Sequence, residues 1–259
     1  MGTYKNVKTN IVDASHVPDN VIRALQLAGK IGFLSRGLWY DYFGNGSLRW
    51  KQRQFHDMVK NNLIVRHANP VTDDYFVLTK KSRGLLGSLG DITVSPPPIS
   101  QIYHDEWIAT WLLELERSGV ATDWATEMEL KCTQAKAYQL SRDLRNQKYP
   151  DAIFNVRALG KNRQLALEYE RTPKGMQRYK NILWLYSRSD ATGLVIFICE
   201  NKFIRNAIEG RLKYLNIPSL WDRVALAMAA DWRDSPLTAP LTIGTKTITL
   251  EQICERQAA

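Results

Sequence analysis

Between Tyr149 and Lys180 three carboxylates stand at spacings that let them share one ligand. Asp151 opens a short apolar run (Ala152, Ile153, Phe154, Val156). Gly160-Lys161-Asn162 is a turn signal, and Leu165-Ala166-Leu167 leads a second strand. On that strand Glu168 and Glu170 are two residues apart, so both point to one face of a sheet. A hairpin brings Asp151 beside them. Pro173 suits the first turn of a following helix, which carries Lys174, Arg178 and Lys180. Hard oxygen donors with cations just beyond suit a divalent-metal site for phosphodiester chemistry, with Asp151, Glu168 and Glu170 as ligands. A plain solvated Glu-x-Glu is common on antiparallel sheets. Against that, Leu165 to Leu167 shows no alternation. This predicts a strand buried on both faces, where a charge is costly unless paired or metal-bound.

Those residues need a framework on each side. Upstream, Trp107, Ile108, Trp111, Leu112 and Leu115 mark an amphipathic helix from His104 to Ser118, followed by a strand at Val120 to Trp124. Thr126 is an N-cap for a helix starting at Glu127, and the basic stretch Lys131 to Lys148 reads as helix or loop. Downstream, a helix continues to about Ser187. Gly193 to Cys199 is a buried strand, Phe203 to Leu215 a helix, Val224 to Ala230 a last core strand, and Leu241 to Leu250 a terminal hairpin.

The chain has 259 residues, 44% hydrophobic, with a net charge of +9 and three widely spaced cysteines. That length holds two modest domains, and the charge favours a polyanionic partner. The cysteines support neither a zinc site nor a disulfide framework. No stretch reads as a signal peptide or approaches a bilayer span, so the expected compartment is the reducing cytoplasm, with no membrane partner. Through Pro98 there are 13 Lys/Arg, 7 Asp and no Glu. A triple proline at Pro96 to Pro98 predicts an extended spacer, dividing the chain into residues 1–95 and 96–259.

Residues 1–18 are polar and expected to be loose. Three short helices follow: Asp19 to Lys30, Arg36 to Phe43 capped by Ser35, and one beginning at Ser47. Then comes a hairpin, Leu63 to His67 and Tyr75 to Thr79, joined through Asn69 to Asp74, with Lys80-Lys81-Ser82-Arg83 leading into Leu85-Leu86. That order is the order of a winged helix-turn-helix. Arg49, Lys51, Arg53 and Gln54 on the third helix are candidate readers of the major groove, and Lys80, Lys81 and Arg83 at the wing base are candidate phosphate contacts.

The second half, helix, strand, hairpin, helix, strand, helix, resembles the restriction-endonuclease-like PD-(D/E)xK core, on Pro150-Asp151 and Glu168-Tyr169-Glu170. Glu170 stands where that pattern has lysine, and Lys180 or Lys174 is available to reach in from the next helix. With the basic winged helix, the chain resembles plasmid mobilisation proteins of the MobC relaxase type and the replication-relaxation family, through His104, Pro150-Asp151-Ala152 and Leu167-Glu168-Tyr169-Glu170-Arg171. The resemblance implies an α/β chain, a winged helix followed by a mixed-sheet nuclease-like domain. It implies nicking of double-stranded DNA at a plasmid transfer origin with Mg²⁺ or Mn²⁺, alongside accessory mobilisation or coupling proteins. Asp151 and Glu168 would hold the metal, Glu170 complete its shell and Lys180 stabilise phosphate charge. His104 and Glu127 would support them or handle protons. The alternative is a non-catalytic replication or transcription regulator with an inactive, dimerising second domain. Tyr169 sits between two carboxylates on a strand and so faces away from both. Cleavage by metal-activated water is therefore expected, without a protein–DNA adduct.

Overall fold

The computed structural model describes residues 17–68, 73–133, 139, 148–189 and 191–254. The readings of residues 1–16, of Asn69 to Thr72 and of most of Lys131 to Lys148 therefore lie outside the described residues. The chain forms two compact units, Met1–Ile99 and Ser100–Ala259. It is a mixed α/β protein, with one small antiparallel sheet and one seven-stranded mixed sheet. Among the described residues no helix is long and apolar enough to cross a membrane.

In the first unit, α1 (Asp19–Ile31) buries Val21, Ala24, Leu25 and Ala28, the spacing of one helix face. It stops at Gly32, whose φ of +88° is left-handed. β1 (Leu34–Ser35) leads into α2 (Arg36–Leu38), where the Ser35 hydroxyl accepts from Leu38 N at 3.0 Å. One π-helical turn (Trp39–Phe43) completes that segment. The Ser47 hydroxyl then caps α3 (Leu48–Lys60) by accepting from Trp50 N. β2 (Ile64–His67) and β3 (Tyr75–Leu78) follow, giving an antiparallel sheet of order β1-β3-β2. Phe55 of α3 meets Phe76 of β3 edge-on at 4.7 Å, at the centre of the core. Lys80 to Arg83 and the Leu85-Leu86 segment they lead into belong to one helix. Thr79 accepts from Ser82 N and starts α4 (Lys80–Ser88) there.

The second unit opens with α5 (Ile99–Arg117), directly after the prolines. β4 (Ala121–Thr126), α6 (Glu127–Cys132), β5 (Ala152–Ala158), β6 (Lys161–Glu170), α7 (Met176–Ser187) and β7 (Leu194–Cys199) come next. The remainder is α8 (Lys202–Leu215), α9 (Pro218–Trp221), β8 (Val224–Met228), α10 (Ala229–Asp234), β9 (Leu241–Ile243), β10 (Lys246–Ile248) and α11 (Leu250–Ile253). The sheet order is β10-β9-β8-β7-β6-β5-β4; β6, β7 and β8 are mutually parallel, and every other pair is antiparallel. Helices cover both faces. Ala166 of β6 packs with Tyr179, Leu183 and Tyr186 of α7 and Ile204 and Ile208 of α8. On the other face Tyr169 meets Trp111 of α5, which in turn meets Trp232 of α10. The central strands therefore carry unbroken apolar runs, as predicted for β6 and β7.

Gly32 gives a test of the first unit. A Cβ there would stand 2.6 Å from the Ser95 carbonyl oxygen, at a φ that disfavours any side chain. Gly32→Ala is expected to cost at least about 2 kcal/mol, read as a lower thermal midpoint by calorimetry.

Candidate functional site: a carboxylate cluster sealed by protein cations

β5 and β6 pair antiparallel with Ala152 opposite Leu167, so Asp151, one residue before β5, arrives beside Glu168 and Tyr169. Its carboxylate extends the ladder: Tyr169 N donates to Asp151 Oδ2 at 2.8 Å. The Asp151 carbonyl in turn accepts from Glu127 N at 2.8 Å, tying the start of α6 to the same point. Glu168 and Glu170 share the α7 face of β6, as their spacing predicts, and are 0% and 1% exposed. Such burial is tolerable only with partners.

Each carboxylate has a cation. Lys148 Nζ stands 2.9 Å from Glu168 Oε2 and 3.7 Å from Asp151 Oδ1. Lys174 Nζ donates to Glu170 Oε1 at 2.5 Å. His104 of α5 places Nε2 3.3 Å from Asp151 Oδ2 and 3.2 Å from the Tyr169 carbonyl, and Nδ1 2.8 Å from Asp105 Oδ1. Acceptors at both nitrogens favour the doubly protonated ring. Tyr186 donates to Glu168 Oε1 at 2.5 Å. Among the described residues one oxygen of the cluster is left over: Glu170 Oε2 is buried with no partner there.

Electrostatics follow this arrangement. Burial pushes the Glu168 carboxyl up to about 7, against Lys148 and with Asp151 adding to the rise. Burial also raises Glu170, against Lys174. For Asp151, burial is outweighed by Lys148 and His104, which hold it below the usual carboxylate range. Burial by itself would lower His104, but Asp151 and Asp105 lift it to about 10.

Of the residues expected to act, Asp151, Glu168, Glu170 and His104 come together. Lys180 lies half-buried on α7, and the lysine that reaches Glu170 from that side is Lys174. Glu127 pairs with Lys131 at 3.0 Å, and its charge helps to raise Lys148. Sequence reasoning missed Lys148, hidden in a basic stretch, and Tyr186, indistinguishable by spacing from the core face of α7. Tyr169 does face away from the glutamates. Its ring stacks on His104 at 5.2 Å, and its hydroxyl donates to Glu200 Oε2 at 2.6 Å and accepts from Arg233. Burial and Glu200 raise its pKa, so it is a poor nucleophile. Cys199, opposite Glu170 in the ladder, has its thiol pushed up to about 12 by burial.

The candidate groove readers separate by helical phase. Arg49 and Arg53 are exposed, and Arg53 lies 5.5 Å over the exposed Trp50 ring. Lys51 turns inward, with Nζ on the Tyr40 carbonyl. Gln54 lines a cavity of about 330 Å³ with Val21, Met58 and Leu63. In α4, Lys80 is exposed, Lys81 donates to the Asn61 carbonyl at 3.0 Å, and Arg83 reaches the Leu78 carbonyl.

Comparison with protein-family models, with curated proteins and with solved structures found no match to the chain.

His104 gives a pH test in metal-free protein. Unfolded, it titrates near 6.5; folded, near 10. Its stabilisation is therefore complete below pH 6.5 and is lost as pH rises to 10, on the order of 5 kcal/mol in all. Denaturant unfolding in EDTA across that window is expected to show the decline. His104→Gln is expected to be less stable at pH 6 and much flatter with pH.

Proposed function

We propose that the chain is a DNA-processing protein. In this reading the first unit is a winged helix that holds duplex DNA through Arg49 and Arg53 of α3. The second is a restriction-endonuclease-like domain that nicks one strand, as at a plasmid transfer origin. The observation that carries it is the placement of buried carboxylates on a particular strand order. In the run α5-β4-β5-β6-α7-β7, Asp151 heads the second strand, and Glu168 and Glu170 end the third. Buried titratable groups with opposed shifts, gathered at strand ends, are the features of a candidate functional site.

The donor set suits Mg²⁺ or Mn²⁺ in kind: all oxygen, with Glu170 Oε2 unpartnered among the described residues and Asp151 Oδ1 in a long contact with Lys148. As the side chains stand, no three His, Cys, Asp or Glu among the described residues are disposed around one point. The Lys148 ammonium fills the space between Asp151 and Glu168. Such an ion would polarise the phosphodiester and lower the pKa of an attacking water. The chain's own groups do the positioning. Tyr169 N and His104 fix Asp151, and Tyr186 fixes Glu168. Lys148 and Lys174, once released from the carboxylates, carry positive charge to a phosphate. A second reading, a regulator with an inert second unit, draws on the same fact that Lys148, His104 and Lys174 already neutralise the three carboxylates.

Nicking of supercoiled plasmid with Mg²⁺ or Mn²⁺ decides between them. Asp151→Ala and Glu168→Ala are each expected to lose more than a hundredfold in nicking rate, with duplex affinity within about twofold of the parent. No nicking by the parent protein under any divalent ion would favour the inert reading. Arg49→Ala with Arg53→Ala is expected to weaken duplex binding and to reduce the salt slope by about 2, measured by fluorescence anisotropy.

A further inference from the structure

The β5–β6 hairpin ends in a way that its own folding does not require. Its two-residue turn is Leu159-Gly160, with φ of +53° and +71°. Two left-handed residues in succession give the turn whose twist suits a hairpin, and Asn-Gly or Asp-Gly normally fill it. Leucine has no side-chain hydrogen bond to offset the Cβ crowding of that conformation, a penalty of about 1 kcal/mol. Nor does packing offset it, because Leu159 is 88% exposed, the most exposed large apolar side chain in the described structure. A strained, bare leucine at the tip of a ribbon adds nothing to the fold.

The ribbon around it is cationic. No Asp or Glu occurs between Asp151 and Glu168. Arg157, Lys161, Asn162 and Arg163 are all exposed. The register pairs Arg157 with Asn162, Ala158 with Lys161 and Val156 with Arg163. Strand alternation then sets Lys161 and Arg163 on one face of the ribbon and Arg157 with Asn162 on the other. The tip is at the opposite end of β6 from Glu168 and Glu170, about 30 Å away at a strand's rise per residue. It is therefore separate from the carboxylate cluster.

We propose that this hairpin is a second DNA-binding element, which enters the minor groove of duplex DNA with Leu159 as an apolar wedge against the base steps. Arg157, Lys161 and Arg163 contact the phosphates that border the groove. Cations on both faces of a narrow ribbon match two phosphate rows, one on each wall; an acidic protein surface would call for cations on one face. An exposed apolar tip between those rows is the group that partly unstacks a base step and kinks the helix. This inference shares with the reading above only its class of partner, and it holds whether or not the second unit cuts DNA.

The test uses the full chain in EDTA, so that no cleavage intrudes, in an Arg49→Ala/Arg53→Ala background that removes the α3 contribution. The probe is a 30-base-pair duplex carrying 2-aminopurine and a terminal donor–acceptor pair. Arg157→Ala/Lys161→Ala/Arg163→Ala is expected to lower affinity at least tenfold and to reduce the salt slope by about 3. Leu159→Asn relieves the turn, so the protein is expected to melt at higher temperature and keep its salt slope. It should lose both the 2-aminopurine fluorescence increase and the shortened end-to-end distance. The proposal is overturned if the triple variant keeps its affinity and slope, or if Leu159→Asn still unstacks and bends the duplex. It is equally overturned if the Leu159→Asn substitution abolishes self-association in sedimentation while DNA binding and bending are unchanged, since the tip is then a protein contact.

Discussion

Two buried glutamates and a half-buried aspartate at one end of β6 set the terms for the rest of the second unit. Asp151, Glu168 and Glu170 leave water only because Lys148, His104 and Lys174 arrive from three different segments to meet them. Removing one member of such a set strands a buried charge, typically at about 3–5 kcal/mol. The register of β6 is held by the same requirement. A slip of one residue would turn Glu168 and Glu170 toward Trp111 and Trp232 and put Tyr169 among the lysines. Placement of α5, of the segment before β5 and of the segment before α7 is thus tied to one electrostatic demand. The apolar cluster beneath α7 and α8 supplies the bulk of the burial, but it is the charges that single out one register.

This explains which parts of the site were legible in the sequence. The hairpin, the shared face of the two glutamates and the double-sided burial of their strand all follow from a period of two and an unbroken apolar run. The cations do not, because partner choice depends on where loops end in space. Lys174 and Lys180 were both plausible from spacing. The four-residue reach from Glu170 to Lys174 decides it, since Lys180 is already one full turn into α7. Lys148 sits three residues before Asp151 in a basic run that reads as solvated. Tyr186 follows the stripe of Tyr179, Ile182 and Leu183 and looks like core until its hydroxyl is found on Glu168. No spacing or pattern in the sequence singles out His104. Its part becomes physical only when both ring nitrogens are seen to face acceptors.

In the first unit the helix boundaries were readable because capping chemistry is local. Ser35 and Ser47 announce α2 and α3 and hold them through backbone N–H groups. Thr79 does the same for α4, which runs through Gly84 and Gly87 despite their low helix propensity. What the pattern blurred was which cations face outward. Arg49, Lys51, Arg53 and Gln54 look like one polar run, yet at about 100° per residue they cannot share a face. Lys51 and Gln54 fall toward the core side marked by Phe55 and Met58, leaving Arg49 and Arg53 outside with Trp50.

Tyr169 joins the two faces of the large sheet. Its N–H holds Asp151, its carbonyl accepts from His104, its ring packs on Trp111 and its hydroxyl lies between Glu200 and Arg233. Arg233 also lies 5.0 Å over the Trp107 ring, one turn from His104 on α5. Any displacement of Asp151 that separates it from β6 therefore disturbs the imidazolium and, through the same residue, the seating of α5 and α10. Opening of the cluster by withdrawal of Lys148 need not have that effect. Lys148 touches Asp151 through Oδ1, while the bonds to Tyr169 and His104 use Oδ2. The Asp151 carboxylate thus divides its partners, with Oδ1 toward Lys148 and Oδ2 on Tyr169 and His104, so the contact that holds the strand end does not depend on Lys148.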